Sequence, residues 1–510
     1  IIRRAKAVAN VMSKMTIYIL DEELIVGNFA NKPCCLPIYP EVQDLFAIYE
    51  SCTPFRDPIF VSGIRKNIKS GDVLLNEIYD RQERTRDATE YMFALFDGKE
   101  DEYREICKYW ADKSLRARYI LTTPLMPTNM ADWMKYAYFN GVCWAGSGFG
   151  GAKSSDGGNI DKLLKIGYGG IEKEIKSAQS KLRKSKGHLT WQEYLDRIET
   201  LEAFLISIKG VQNFIKRYSD LAASMALKES CERRKQELKT IADGCLWISK
   251  KPPRTLQEAM QLMFTTNLVY KVLEHQGQGL GYRFDVLLNP FYQTDKEKGI
   301  INREEAQDLM QCMLLKIGEI GHLNPPEVSL HYEGMTDVKD VIIGGMTSEG
   351  DDASNEFSLI ILDASKVVRL PEPSIAIRYH PKISTELIDK AIDVIRTGLG
   401  HPIFFNDQAA IPYFLSHGYP LEKARNYGVT ACVTSAFVDG THQRPHRPNS
   451  GTINLLSCLE MALFQGESQF MGGQLGARTP DPTTFRSIDD VMDAYLTQVN
   501  HFVGKLAQIE

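Results

Sequence analysis

No C-x-x-C pair occurs in this chain, although it carries ten cysteines, at 34, 35, 52, 107, 143, 231, 245, 312, 432 and 458. That scatter excludes a zinc or iron–sulfur ligand set of the usual spacing and a secreted disulfide framework. Reduced thiols in a cytoplasmic protein are the expectation. There is no apolar run of about 18 residues, so no membrane-spanning helix is expected. The opening Ile1-Ile2-Arg3-Arg4-Ala5-Lys6 leads into no long apolar region, which excludes a signal peptide there. No charge of one sign dominates either. With 60 basic against 65 acidic residues the net charge is −5, which argues against a nucleic-acid or anionic-membrane surface.

What is present is an ordinary globular composition, 43% apolar and 25% charged over 510 residues. Such a chain buries a large core as two or three domains or as one large α/β barrel. Residues 1–120 read as mainly helical, with the 3.6-residue apolar period clear in Asp72 to Phe96 and Asp101 to Tyr119. The glycine-rich loop Gly146 to Gly151 formally contains GxGxxG, yet no clean strand leads in and no helix follows, so a dinucleotide is disfavoured. Asp161 to Lys165 and Glu172 to Lys186 read as helices. Thr190 with Glu193 spells a capping box for a helix from Trp191 to Ile208. Further helices are expected from Pro253 to Tyr270, Arg303 to Leu323, Ser384 to Arg396 and Leu421 to Tyr427. Strands are expected at Gly281 to Leu288, Val341 to Ile343, Leu359 to Leu362, Ile375 to Arg378 and Ile403 to Phe405. Alternation of strand and helix predicts a parallel sheet with active residues at strand ends. In Val491 to Glu510, apolar residues fall on one helical face, and the chain stops inside that pattern. A fragment of a longer protein is expected from that.

The stretch from Asn426 to Leu463 organises the rest. Val429 to Val433 is apolar and β-branched, a short buried strand, with Cys432 near its end. A loop rich in Gly, Pro, His and Arg follows, and an apolar helix begins near Ile453. A lone thiol at a strand tip serves as nucleophile, metal ligand, radical carrier or inert core filler. A Cys–His hydrolase needs a partner base, for which His401, His442 and His446 are available, but no Cys-protease signature accompanies them. His442 and His446 stand four apart, yet Pro445 between them opposes a metal-binding helix. No metal is expected.

The segment Tyr427-Gly428-Val429-Thr430-Ala431-Cys432-Val433-Thr434-Ser435, preceded by Gly400-His401-Pro402-Ile403-Phe404-Phe405-Asn406-Asp407, resembles the thiyl-cysteine region of glycyl radical enzymes. That is the family of pyruvate formate-lyase, the diol dehydratases and choline lyase. Other blocks agree in order: Lys251 to Ala259, Leu288 to Tyr292, Gly344-Gly345-Met346 through Asp352 to Glu356, Leu370-Pro371-Glu372-Pro373, and Ile377-Arg378. The resemblance implies one α/β domain over 1–510: a ten-stranded α/β barrel at 121–510, threaded by the cysteine loop near 432, with a helical outer part at 1–120. It implies Cys432 as the thiyl relay. It also implies a glycyl radical on a glycine beyond residue 510, in a C-terminal domain absent from this chain and charged by a radical-SAM activase.

Two departures from the family pattern carry the functional expectation. Thr434 stands where the dehydratases, choline lyase and hydroxyphenylacetate decarboxylase carry a glutamate, and Ala431 stands where pyruvate formate-lyase carries a second cysteine. With elimination and acyl transfer both disfavoured, addition of a hydrocarbon to fumarate remains, as in benzylsuccinate and alkylsuccinate synthases. Arg447, fifteen residues after Cys432, stands where that branch places a fumarate-binding arginine, with Arg444 the competitor. Trp133, Tyr136 and Leu330 are candidate walls of the hydrocarbon pocket. Expected partners are fumarate, a methylarene or alkane, the activase, small accessory subunits and a second catalytic subunit, in an anaerobic organism. Two alternatives stay open: another glycyl radical lyase or arylacetate decarboxylase, and a non-catalytic relative.

Overall fold

The computed structural model describes residues 1–31, 33, 105–106, 109, 143–144, 158–184, 189–274, 281–320, 340–430, 434–437, 452–469 and 473–506. They fall into two compact units. One holds residues 1–31 with 158–320 and 340–437, and the other holds 143–144 with 452–506. Of Asp101 to Tyr119 only residues 105, 106 and 109 are described, and they are helical. The segment Asp72 to Phe96 and the glycine loop lie outside the described residues.

The first unit begins with amphipathic helices: α1 (Ile2–Lys14), α2 (Ile160–Lys184), α3 (Trp191–Lys228) and α4 (Glu232–Ile248). The two short helices expected before residue 186 are one element with a kink at Gly167, φ +63°. A Cβ there would sit 2.5 Å from the Lys251 carbonyl carbon, so close backbone approach requires glycine. The capping box on α3 is present. Thr190 Oγ1 accepts from the Glu193 amide, and Glu193 Oε2 accepts from the Thr190 amide.

Three helices follow: α5 (Leu256–Glu274), α6 (Phe284–Glu297) and α7 (Arg303–Gly318). The strand expected over Gly281 to Leu288 is instead one parallel bridge, Arg283 to Ile342, followed directly by α6. Phe284, Leu288 and Tyr292 recur at helical spacing and are fully buried, and that stripe decides the conformation. Likewise Leu359 to Leu362 lies inside helix α8 (Glu356–Val368) rather than in a strand. A four-residue apolar run does not distinguish the two conformations. The deciding feature is the cap: Asn355 Oδ1 accepts from the Phe357 and Ser358 amides, and Ser358 Oγ accepts from the Asn355 amide.

The sheet comprises β1 (Asp340–Gly344), β2 (Ser374–Tyr379) and β3 (Ile403–Asn406), parallel and in that order. Helix α8 connects β1 to β2, and α9 (Thr385–Ile395) connects β2 to β3. Two cores sandwich the strands. Val341, Ile343, Ile375 and Ile377 face the large helical core. Ile342 and Ala376 face a smaller core with Phe414, Tyr427, Val429 and Phe437, and the half-buried Ile403 and Phe405 pack against it. This second face is the inner face. Cover on both faces explains the unbroken apolar runs of β1 and β2, whereas Phe404 on the other face of β3 is exposed. The α/β class expected from alternation is thus the observed one, and the expected count of ten strands is not tested by the described residues.

Downstream of β3 come α10 (Asp407–Ser416) and a short helix, Leu421–Arg425. An antiparallel hairpin then forms from β4 (Gly428–Thr430) and β5 (Thr434–Ala436), with Thr430 opposite Thr434. In the second unit, Cys143–Trp144 pairs antiparallel with Thr452–Ile453, and helices Leu455–Leu463 and Ile488–Leu506 pack together. Asn454 caps the former by accepting from the Leu456 and Ser457 amides.

Candidate functional site

Sequence blocks far apart in the chain meet at the carboxyl ends of β1 and β2. Arg378, on the inner face of β2, is fully buried and forms a two-pronged ion pair with the fully buried Asp407. Its Nε donates to Asp407 Oδ1 at 3.0 Å and its Nη2 to Oδ2 at 2.9 Å. The same guanidinium donates to the Tyr427 carbonyl at 2.9 Å and the Arg425 carbonyl at 2.8 Å, and it stacks 3.8 Å over the Tyr427 ring. Tyr427 Oη donates to Asp407 Oδ1 at 2.6 Å, and burial pushes the phenol above its ordinary range. Planar, multi-donor recognition of this kind requires arginine. Gly345, at φ +79°, makes room, since a Cβ there would meet the Arg378 guanidinium at 2.8 Å.

Beside it, Asp285 at the start of α6 accepts from the Gly344 amide and Ser358 Oγ, each at 2.7 Å, and from the Val286 amide at 2.8 Å. Burial outweighs these donors and raises its carboxyl above the usual range. Arg283 donates to the Gly344 carbonyl at 2.8 Å and to Asn426 Oδ1 at 3.1 Å. Its burial, and next the charge of Arg378, lower the guanidinium to about 10.

This network fixes the backbone of residues 425–427, and β4 continues from it against β1 toward the inner-face core. The three residues between paired Thr430 and Thr434 include Cys432 and lie outside the described residues, as do Arg447, Trp133, Tyr136 and Leu330. The structure therefore brings together the approach to the cysteine rather than the site residues named from sequence. Arg378 and Asp407 stood inside blocks that carried the resemblance, but nothing in the sequence paired them across 29 positions.

A different arrangement occupies the opposite, amino ends of the strands. Asp340 opens β1 opposite Ser374 of β2, and shares the inner-face parity of Ile342. It is 1% exposed, and burial together with the nearby Glu372 carboxylate lifts its carboxyl to about 8. No sequence signal marked it, since an acidic residue before an apolar strand reads as a loop end. Among the described residues no three His, Cys, Asp or Glu side chains converge to hold a metal, and no helix is long and apolar enough to cross a membrane.

Residues 1–509 match the family described as pyruvate formate lyase-like (PFL-like). The chain belongs to that family. It is 28% identical over 98% of its length to the (2S)-3-sulfopropanediol dehydratase of Klebsiella oxytoca, and covers 56% of that protein. It is 27% identical over 99% of its length to the isethionate sulfite-lyase of Oleidesulfovibrio alaskensis (strain ATCC BAA-1058 / DSM 17464 / G20), and covers 57% of it. A glycyl radical enzyme from Archaeoglobus fulgidus has a similar structure, with a TM-score of 0.77 at 26% identity, over 99% of this chain and 59% of that one. The chain thus spans little more than half the length of these relatives.

Family and α/β fold agree with the resemblance, and the two curated relatives are named as a dehydratase and a sulfite-lyase. The expectation of hydrocarbon addition to fumarate is overturned by them, and with it fumarate and a hydrocarbon as partners and a benzylsuccinate synthase type of activity. The error lay in deciding a reaction from two substitutions and one spacing. The nature of Thr434 and Arg447 limits which chemistry each side chain can do, but not which substrate the surrounding barrel admits.

Proposed function

We propose that this chain is the catalytic barrel portion of a glycyl radical lyase. It would remove water or sulfite from a small hydroxylated substrate, with Cys432 as the hydrogen-atom relay. The observation that carries this is near-complete coverage of the chain by relatives named as a sulfopropanediol dehydratase and an isethionate sulfite-lyase. The glycyl radical, made by a radical-SAM activase, would supply the unpaired electron. The Cys432 thiyl takes a hydrogen atom from the carbon bearing the hydroxyl, breaking C–H and forming S–H. The adjacent carbon loses its leaving group while the hydroxyl loses its proton, and the product radical takes the hydrogen atom back from the thiol.

Thr434 refines the class. A threonine hydroxyl is no carboxylate base near neutral pH, and it is a poor acid for assisting hydroxide departure. Sulfite is a much weaker base than hydroxide and leaves without prior protonation, so loss of sulfite suits this site better than loss of water. Arg447, permanently charged and forked, would suit a sulfonate.

The test is anaerobic activation of the full-length enzyme, followed by product analysis with isethionate, sulfopropanediol and glycerol. Elimination is expected, strongest with a sulfonate. Cys432→Ala should abolish product and leave the glycyl radical signal in electron paramagnetic resonance intact. A normally activated enzyme that eliminates from none of the three would overturn the proposal.

A further inference from the structure

Between the carboxyl end of β1 and the cap of α8, residues 345–354 fold back on themselves. Met346 bridges Asp352 antiparallel, and the Thr347 amide donates to the Asp351 carbonyl at 2.9 Å. Gly350, at φ +100°, closes the tip.

This loop touches the Arg378 network at three points. Gly345 packs on the Arg378 guanidinium, and the Met346 amide donates to Asp407 Oδ2 at 3.2 Å. At the tip, the Ser348 carbonyl accepts from Arg425 Nη1 at 2.8 Å, and a Cβ on Gly350 would stand 2.7 Å from Arg425 Nη2. Arg425 is therefore gripped twice, by its side chain from the loop and by its carbonyl from Arg378. The chain enters β4 and the cysteine turn directly after it.

One side chain spans both arms of the loop. His380 directly follows β2 and is fully buried, and its Nε2 lies 3.2 Å from the Gly345 carbonyl on one arm and from Asp352 Oδ1 on the other. A carbonyl only accepts, so Nε2 carries the hydrogen and shares it between the arms. The Lys382 amide donates to Nδ1 at 3.3 Å, which requires the same tautomer. Asp352 is also tied to the next helix, since its Oδ2 accepts from the Ser384 amide ahead of α9 at 2.8 Å. Without the imidazole the arms keep their backbone bonds, such as that from the Ala353 amide to the Gly345 carbonyl, but lose the ring that fixes them over β2.

We propose that His380 is a positioning residue for the Cys432 relay. It holds the 345–354 loop, the loop holds Arg378, Asp407 and Arg425, and these set where the backbone enters β4. Hydrogen-atom transfer depends steeply on the separation of the reacting atoms, so a small displacement that leaves the fold intact slows it. The assignment rests on the lyase reading for the reacting cysteine only, since the contacts do not depend on which substrate is bound.

His380→Leu and His380→Gln in the full-length enzyme test it, because glutamine places an amide donor near the Nε2 position and leucine does not. Before activation, amide exchange at Val429 and Thr430 should be about tenfold faster in His380→Leu and close to wild type in His380→Gln. After activation, with isethionate carrying hydrogen or deuterium on the hydroxyl-bearing carbon, His380→Leu should lose about tenfold or more in kcat per glycyl radical spin. Its KM should stay near wild type and its deuterium isotope effect should rise, and His380→Gln should restore both kcat and isotope effect. A role in stability alone would lower the thermal midpoint and leave exchange at Val429, kcat per spin and isotope effect at wild-type values, which overturns the proposal. Should His380→Leu fail to fold, the half-buried Arg425→Leu frees the loop tip and should move exchange and isotope effect in the same direction, and wild-type values there overturn the proposal. A wild type that eliminates beside a His380→Leu variant with unmoved kcat per spin defeats the positioning role and spares the lyase reading. Faster exchange in His380→Leu, in an enzyme that is activated yet eliminates from none of isethionate, sulfopropanediol and glycerol, supports the loop's hold on β4 and defeats the lyase reading.

Discussion

Removing one partner of the Arg378–Asp407 pair leaves a full charge in a site with no solvent access, at a cost of about 3–5 kcal/mol. Both side chains are 0% exposed, and the pairing is two-pronged at 3.0 and 2.9 Å, so the full penalty applies. Arg378→Met and Asp407→Leu should each destabilise by about that amount. Arg378→Met also orphans the Tyr427 and Arg425 carbonyls, each such loss costing about 1–3 kcal/mol. The double variant removes both charges, so what remains uncompensated is the orphaned carbonyls, the Tyr427 hydroxyl and the Met346 amide. It should therefore lie about 3 kcal/mol or more above the sum of the singles. A chain of this size need not unfold in one step, so a global midpoint is insufficient. The measurement is native-state amide exchange at Val429 and Thr430 in the full-length enzyme, together with urea unfolding. The carbonyls held by Arg378 lead directly into β4, so protection there should fall in Arg378→Met and in Arg378→Lys, which keeps the charge but loses the fork. Singles that add within about 0.5 kcal/mol, or unchanged protection at Val429, would refute the idea that this pair positions the cysteine hairpin.

Gly345→Ala should cost more than about 2 kcal/mol, measured by urea unfolding, because it forces a side chain at φ +79° and into the Arg378 guanidinium. Asp340 carries a pH signature. Its folded carboxyl, at about 8, lies above the ordinary value, so the folded state binds the proton more tightly. Its contribution to stability is therefore fully present below the unfolded pKa of about 3.9 and is lost as pH rises to about 8. Asp340→Asn should gain on wild type across that window in thermal unfolding, and a parallel pH course for the two proteins would refute this. Arg447→Ala should raise KM for a sulfonate substrate about ten- to a hundredfold, the equivalent of one charge-assisted contact, and leave that for glycerol unchanged. Steady-state kinetics on the activated enzyme reads this directly.

Local chemistry determined what the sequence made legible on its own. The capping box at Thr190, the apolar strands at 341–343, 375–378 and 403–405, and the amphipathic helix near the end follow from patterns within about 20 residues, and all appear in the structure. The family was legible too, because its motifs recur in order along the chain. The pattern failed where the same short apolar run suits either period. Leu359 to Leu362 became helix because Asn355 and Ser358 cap it, and Phe284 to Leu288 because Phe284, Leu288 and Tyr292 had a core to face. Only the tertiary structure decided which charges meet. Arg378 reaches Asp407 across 29 positions and the Arg425 carbonyl across 47, because parallel strands and their crossover helices bring distant carboxyl ends side by side. The same folding left Asp340 without a donor among the described residues, because burial and pairing are properties of the packed sheet and not of any one stretch of chain.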